Sequence, residues 1–481
     1  MQENGVPGIL LMEYASQGVV KALKKHVSSG ARVLFLCGPG NNGGDGYAAA
    51  RLWKSEGGDS VLLSVRESSS GDAAVNRRLC AIEGIRDLLW TAGKALPECD
   101  AVVDALFGTG LSHAPGGAEA ALISAVNQLD VPVISVDIPS GLNGETGEAA
   151  GAVIHATETV TFHRIKQGLL LRDGPDCTGA ITCHPILIPQ DFGAAESFDY
   201  LTAADLSGLI HPRRPTGYKG TFGRVLICAG SPGMAGAAAM AARAALKAGA
   251  GLVVLLCRES ILPILQVLVP QAVAIVLPED NGKLNAEACQ ILKQQLSLSD
   301  SAVFGCGIGR GEDVKELLPV FIEAKCPVVW DADALNLLSE APDRLPHNAV
   351  MTPHPGEAAR LLRCEAGDVT SDAPGALERL ASAYGCHVLL KGARTLMTDG
   401  TRKAVNLYGT PALGKGGSGD ILSGILAALL AQKKESLDSD QLIRIQAAAA
   451  IHGLAGLRAE KQSGSHGVTA EELIGCIRTG A

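Results

Sequence analysis

The chain has 481 residues, 47% of them hydrophobic, and a formal net charge of -9 at pH 7. Its length exceeds the roughly 250–300 residues that one hydrophobic core fills, so two domains are expected. The acidic balance argues against a broadly basic surface for nucleic acid or an anionic membrane, and leaves small molecules as the expected partners. With 58 glycines and only 4% aromatic residues, close packing of helices on sheets in an α/β class fits best. The 13 cysteines form no Cys-x-x-Cys pair and lie mostly in apolar runs such as those of Cys37, Cys228 and Cys257, a pattern that suits the reducing cytoplasm. The start, MQENGVPGILLMEYAS, lacks the basic region and cleavage site of a signal peptide, and Pro or charge interrupts every long apolar stretch, so no membrane span is expected.

In chain order, the first half alternates β-branched runs, glycine-rich turns and Ala/Leu-rich stretches. Strands are expected at 32–37, 60–65, 100–105, 131–137 and 158–163, which predicts a doubly wound parallel sheet. CGPGNNGGDGYAAAR (37–51) places GPGNNGG as a turn after the first strand, with a helix beginning near Asp45. Ligands in open α/β sheets bind at such carboxyl edges, and glycines let the backbone approach a phosphate without a Cβ in the way. Asn41, Asn42 and Asp45 add side-chain polarity there; taken alone, the stretch reads first as a glycine-rich turn capped by Asp45. DALFGTGLS (104–112) and VDIPSGL (136–142) end two further strands with acid, glycine and hydroxyl residues. Singly, Asp104 or Asp137 reads as a cap or loop anchor. Together, the strand tips predict one shared cleft.

PQDFGAAESFDY (189–200) loses apolar periodicity, and a boundary is placed near Glu196, giving domains 1–196 and 197–481. The second half restarts the pattern, with strands expected at 224–229, 252–257, 301–305, 327–331 and 387–390. GAAAMAARAALKAGAGLVVLL carries Arg243 and Lys247 and reads as helix then strand. GGSGDILSGILAALLA (416–431) sets a glycine turn before an apolar helix with Asp420 in its first turn, where helix amides would face a phosphate and a carboxylate would sit beside an acceptor hydroxyl. An N-cap role is the plainer alternative for Asp420. DADALN (331–336), TPHPGEAARLL (352–362) and KGARTLM (391–397) each follow a strand. His354 alone reads as a structural residue and Lys391 as a surface charge, but their positions at strand ends argue for a shared cleft.

CGPGNNGGDGYAAAR, DALFGTGL, VDIPSGL, TVTF (159–162) and LMEYA (11–15) together resemble the NAD(P)H-hydrate epimerase domain, over most of residues 8–190. The resemblance implies a Rossmann-like sheet in which Asn41, Asn42, Gly43, Gly44, Asp45, Gly108, Thr109, Gly110, Leu111, Ser112, His113 and Ala114 contact a hydrated nucleotide. It further implies that Asn42, Asp104 and Ser140 bind potassium, and that Asp137 binds substrate and acts as the acid/base. Tyr14 stands where the family's motif commonly has Asn.

KGTFGRVLICAGSPGMAGAAAMAARAALKAGAGLV (219–253), with TPHPGE and GGSGD, resembles the ADP/ATP-dependent NAD(P)H-hydrate dehydratase domain of the same bifunctional repair enzymes, from about Gly217 to about Gly456. That resemblance implies a ribokinase-like fold in which Ala237, Ala238, Gly307, His354 and Asp420 line the hydrate site. Lys391, Gly392, Ala393, Arg394, Thr395 and Gly419 would bind ADP or ATP with magnesium, and Asp420 would be the base. Lys415 departs from the family pattern and would touch a phosphate or point outward. The implied activity is epimerisation of the R and S hydrates of NADH and NADPH by the first domain and dehydration of the S hydrate by the second, in a homo-oligomer. A small-molecule kinase and a non-catalytic nucleotide sensor are the competing readings.

Overall fold

The computed structural model describes residues 6–65, 71–111, 113–189, 197–340, 343–433, 437 and 440–479. The chain divides into two compact units, Met1–Glu196 and Ser197–Ala481. The expected boundary residue Glu196 and the expected site residue Ser112 lie outside the described residues.

The first unit is a seven-stranded sheet: β1 (Arg32–Cys37), β2 (Asp59–Ser64), β3 (Arg86–Leu89), β4 (Ala101–Ala105), β5 (Val133–Val136), β6 (Glu158–Phe162) and β7 (Ala180–His184). Their spatial order is β3-β2-β1-β4-β5-β6-β7, and every pairing is parallel. Both faces of β1 are covered, as a run without polar alternation demands. Val33 and Phe35 pack with Val19, Leu23, Tyr47 and Trp53, whereas Leu34 and Leu36 pack with Leu122 and Val126. The strand order reverses between β1 and β4, the place where a crevice opens at the carboxyl ends of a doubly wound sheet.

The helix after β1 starts at Asn41 and runs to Ser55, four residues earlier than the turn reading of GPGNNGG places it. Packing accounts for the glycines that suggested a turn. A methyl on Gly43 would fall 1.9 Å from the Gly38 carbonyl oxygen, and one on Gly46 would fall 2.6 Å from the Ala105 Cβ. These glycines let the first turns of the helix lie against the strand tips. Asp45 is thereby one turn inside the helix and does not cap it.

The second unit holds β8 (Phe198–Asp199), β9 (Arg224–Cys228), β10 (Leu252–Cys257), β11 (Val273–Val276), the hairpin β12 (Glu279–Asp280) and β13 (Lys283–Leu284), β14 (Ser301–Phe304), β15 (Val328–Trp330), β16 (Val350–Met351), β17 (His387–Leu390), β18 (Leu396–Thr398) and β19 (Lys403–Val405). The large sheet has the order β11-β10-β9-β14-β15-β16-β17-β18-β19-β8. It is parallel except for the β17–β18 and β18–β19 pairs. Alanine-rich Ala235–Lys247 crosses Ser418–Ala431 so closely that a methyl on Gly424 would lie 2.1 Å from the Ala241 carbonyl oxygen. Gln441–Gly467, interrupted at Gly464, packs beside Ser418–Ala431 and completes the core. No helix of the described residues is long and apolar enough to cross a membrane.

Candidate functional sites

In the first unit the tips of β1, β4 and β5 are neighbours, so the residues after them converge. Asp104, at the end of β4, is fully buried. Its Oδ1 accepts from the Ser140 hydroxyl at 2.5 Å, and its Oδ2 accepts from the Ser140 amide at 2.9 Å and the Ser135 hydroxyl at 2.8 Å. Burial pushes its pKa above the usual carboxylate range, against the pull of these donors. Ser140 Oγ also accepts from the Phe107 amide at 2.9 Å, which fastens the β4 loop to the β5 loop. Asn42 reaches the same place: a methyl on Gly108 would stand 3.2 Å from its Cβ, and its buried Nδ2 has no hydrogen-bond partner among the described residues.

Asp137 follows β5 with a φ of 66°, a left-handed conformation that a non-glycine residue adopts at some cost. It caps no helix. Its Oδ1 accepts from Lys166 Nζ at 2.5 Å and from Thr161 Oγ1 at 3.1 Å. Lys166 Nζ also donates to the Phe162 carbonyl at 2.9 Å. Asp45 shares this electrostatic field: burial, then the charge of Asp137, drives its pKa well above the usual range, while Lys166 pulls it down. Lys166 and Thr161 were missed by motif reading. Thr161 lies inside the TVTF run, and Lys166 lies 29 residues beyond Asp137, so only the adjacency of β5 and β6 brings them together. Gly108, Thr109, Gly110 and Leu111 form the loop after β4, turned by a Leu111 amide to Gly108 carbonyl bond of 3.2 Å. Asn41, His113 and Ala114 are exposed.

The second unit brings together the tips of β9, β14, β15, β16 and β17 with the start of Ser418–Ala431. The helix N-cap is Gly417, with φ 92°, so Asp420 does not serve as the cap. Burial, followed by the nearby Asp331 charge, raises the Asp420 pKa to about 6. Cys306, after β14, pulls the other way, and its thiol donates to the neighbouring Asp331 Oδ2 at 3.9 Å. Asp331 lies at the tip of β15 and is buried; Lys391 Nζ donates to its Oδ1 at 2.9 Å and Ser423 Oγ to its Oδ2 at 2.7 Å. Although burial opposes charge on both partners, the pairing holds Asp331 below the carboxylate range and Lys391 above the lysine range. Lys391 is therefore no solvated surface charge.

Gly307, with φ 61°, abuts the helix after β9: a methyl there would lie 3.1 Å from the Ala237 Cβ, and Ala238 packs beneath Gly230. His354 caps Pro355–Leu362, its Nδ1 accepting from the Gly356 amide at 3.0 Å and the Glu357 amide at 3.3 Å. Half its side chain remains exposed, so the structural role and a ligand contact are compatible. A methyl on Gly419 would stand 3.5 Å from Lys391 Nζ, which joins the glycine turn to the Lys391–Thr395 loop. Of that loop, Arg394 turns inward and donates to the Leu407 carbonyl at 2.6 Å, and burial lowers its pKa. The Thr395 carbonyl accepts from the Asn406 amide at 2.9 Å. Lys415 is exposed, and its Nζ donates to the His466 and Val468 carbonyls at 2.5 and 2.8 Å.

Residues 9–168 match the family described as YjeF-related protein N-terminus, and residues 225–479 match NAD(P)H-hydrate dehydratase. The bifunctional NAD(P)H-hydrate repair enzyme Nnr of Escherichia coli (strain K12) is 38% identical over 97% of this chain and 88% of its own length. The enzyme of the same name from Moorella thermoacetica is also 38% identical, over 98% of this chain and 91% of its own length. Among solved structures, the ADP/ATP-dependent NAD(P)H-hydrate dehydratase from Bacillus subtilis, co-crystallised with ATP/Mg2+, matches with a TM-score of 0.51 and 25% identity over 59% of this chain and 97% of that chain. A ribokinase-like superfamily protein from Enterococcus faecalis matches with a TM-score of 0.52 and 25% identity over 58% of this chain and 94% of that one. The chain belongs to the family of bifunctional NAD(P)H-hydrate repair enzymes.

Proposed function

We propose that the first unit interconverts the R and S hydrates of NADH and NADPH, and that the second dehydrates the S hydrate at the expense of ADP or ATP. The observation that carries this reading is the Asp420 carboxylate, raised to about 6, beside a glycine turn at a helix N-terminus and a buried lysine. A base with a pKa near the working pH is the best compromise between being deprotonated and being able to accept a proton.

In the second unit, Asp420 takes the proton of the C6 hydroxyl as that oxygen attacks the terminal phosphorus of the nucleotide. The amides of the Gly416–Gly419 turn and the Lys391 ammonium face the charge that spreads over the phosphoryl oxygens, so the residues act by positioning and electrostatics. The ring nitrogen lone pair then expels phosphate from C6, and loss of a proton from C5 to water restores the C5=C6 double bond of the reduced nicotinamide. Ala237, Ala238, Gly307 and His354 line the hydrate side, and Gly392–Thr395 the adenine nucleotide side. A magnesium ion would arrive on the nucleotide phosphates and keep several of its waters. Magnesium would supply charge neutralisation on those phosphates.

In the first unit, Asp137, oriented by Lys166 and Thr161, acts as acid/base on the hydroxyl of C6, the carbon that inverts. The loops 41–45 and 108–114 hold the nucleotide. The donor set fits a potassium ion: Asp104 and Ser140 offer oxygens, and the Asn42 amide lacks a hydrogen-bond partner and is free to turn its oxygen to a cation. Such an ion would offset the buried Asp104 charge and fasten the β1, β4 and β5 loops. We further propose a cytoplasmic setting and a homo-oligomeric assembly.

Incubation with hydrated NADH and ADP tests the reading. The expected result is release of phosphate with recovery of the near-ultraviolet absorbance of the reduced nicotinamide. A stable phosphorylated product would favour the kinase reading, and tight ADP binding without turnover the sensor reading.

A further inference from the structure

We propose that Asp331 is a positioning residue for dehydration, one that holds the Lys391 ammonium behind the phosphate-binding turn and sets the charge around Asp420. The proposal rests on the dehydratase reading of the second unit. Asp331 is 2% exposed, and its two oxygens serve different elements. Oδ1 accepts from Lys391 at the tip of β17, at 2.9 Å, and from the Ala332 amide at 3.0 Å. Oδ2 accepts at 2.7 Å from Ser423, which lies one turn beyond Asp420 on Ser418–Ala431. One carboxylate thus ties two strand tips to the helix that carries the base.

Gly419 shows where the cation is held. A methyl on its α-carbon would stand 3.5 Å from Lys391 Nζ and 3.7 Å from Asp331 Oδ2, so both charges lie directly beneath the glycine turn. Without Asp331, the one carboxylate among the described residues left in ion-pair range of the lysine would be Glu357, 3.8 Å away. The Cys306 thiol, which also bears on Asp420, donates to Asp331 Oδ2 at 3.9 Å. The groups that act on Asp420 are Asp331, Cys306, Lys391 and Asp333. From the long helix Gln441–Gly467, His452 reaches Ser418 at 3.1 Å and stays neutral, its pKa pushed down to about 4 by burial. Asp331 favours the protonated form of Asp420 and Lys391 the ionised form, so the pair fixes the pH at which the base becomes available.

The test is the pH dependence of kcat/KM for dehydration by the full chain, which reports the free enzyme's groups. Asp331→Asn removes a negative neighbour, and its acidic limb is expected to move down by about one pH unit, with a higher KM for ADP. Lys391→Met is expected to move the limb up. A purely structural aspartate would lower the rate and leave the limb in place. Unmoved limbs in both variants overturn the proposal. Should Asp331→Asn fail to fold, Lys391→Met decides alone: an upward limb supports the proposal and an unmoved one overturns it. Wild-type protein that returns no reduced nicotinamide overturns the dehydratase reading and this proposal with it.

Discussion

Each unit ends a parallel strand on an aspartate that meets a lysine carried just beyond another strand of the same sheet, β6 beside β5 in the first unit and β17, two places from β15, in the second, but the two pairs stand in different surroundings. Asp137 and Lys166, 2.5 Å apart, retain 16% and 23% of their side-chain exposure, and Asp137 itself carries the left-handed backbone that turns it toward the cleft. Asp331 keeps only 3%, and the left-handed residue is the next one, Ala332, with φ 50°. The first aspartate is therefore left partly open at its strand tip, whereas the second is withdrawn beneath the helix that carries Asp420. On the proposed function, the same strand-tip pair holds a reacting group in one place and is the setting for a reacting group in the other. Burial makes the difference: Asp331 is closed in by Lys391, Ser423 and the Ala332 amide, which hold it ionised, whereas Asp137 keeps part of its surface open beside Lys166 and Thr161.

Substitutions can break or sharpen that contrast. The largest effect is expected from Asp420→Asn, which removes the base and should slow dehydration by about 10²–10⁴-fold, with ADP binding by calorimetry little changed. Asp137→Asn should impose a similar loss on epimerisation, read as consumption of the R hydrate, while the S hydrate is still dehydrated at the wild-type rate. Lys166→Met tests the exposed pair. Loss of a charge-assisted hydrogen bond worth about 1.5–3 kcal/mol should lower epimerisation by roughly 10–100-fold, with dehydration unaffected. Gly424→Ala sets a methyl 2.1 Å from the Ala241 carbonyl, and the overpacking should cost about 1–3 kcal/mol in the second unit's thermal transition. Lys415→Ala should be the mildest change, within about 0.5 kcal/mol in stability, with an unchanged KM for ADP, since Lys415 is an exposed residue tied to backbone carbonyls.

Motif reading reached the strand tips because glycine, acid and hydroxyl residues mark them locally. DALFGTGLS and VDIPSGL lie where the register of β4 and β5 brings them side by side, and Asp420 sits in the first turn of its helix as its spacing from the glycines predicts. The early start of the helix Asn41–Ser55 escaped notice because glycine is both a turn former and the residue that permits the closest packing, and sequence does not tell which use applies. The short strands β16, β18, β19 and β8, of two or three residues each, are too brief to show a period of two. The partners of the reactive groups were illegible for a different reason. Ser423 meets Asp331 across 92 residues and Lys391 across 60, contacts that only the order of strands in the sheet creates.

The most direct measurement of the central claim, that Asp420 is the base beside the phosphoryl site, is the pH profile of wild-type kcat/KM for S-hydrate dehydration with ADP. A base must be deprotonated to act, so activity should rise with pH through a single acidic limb near about 6. A rate that stays flat from well below that value to neutrality would contradict the assignment.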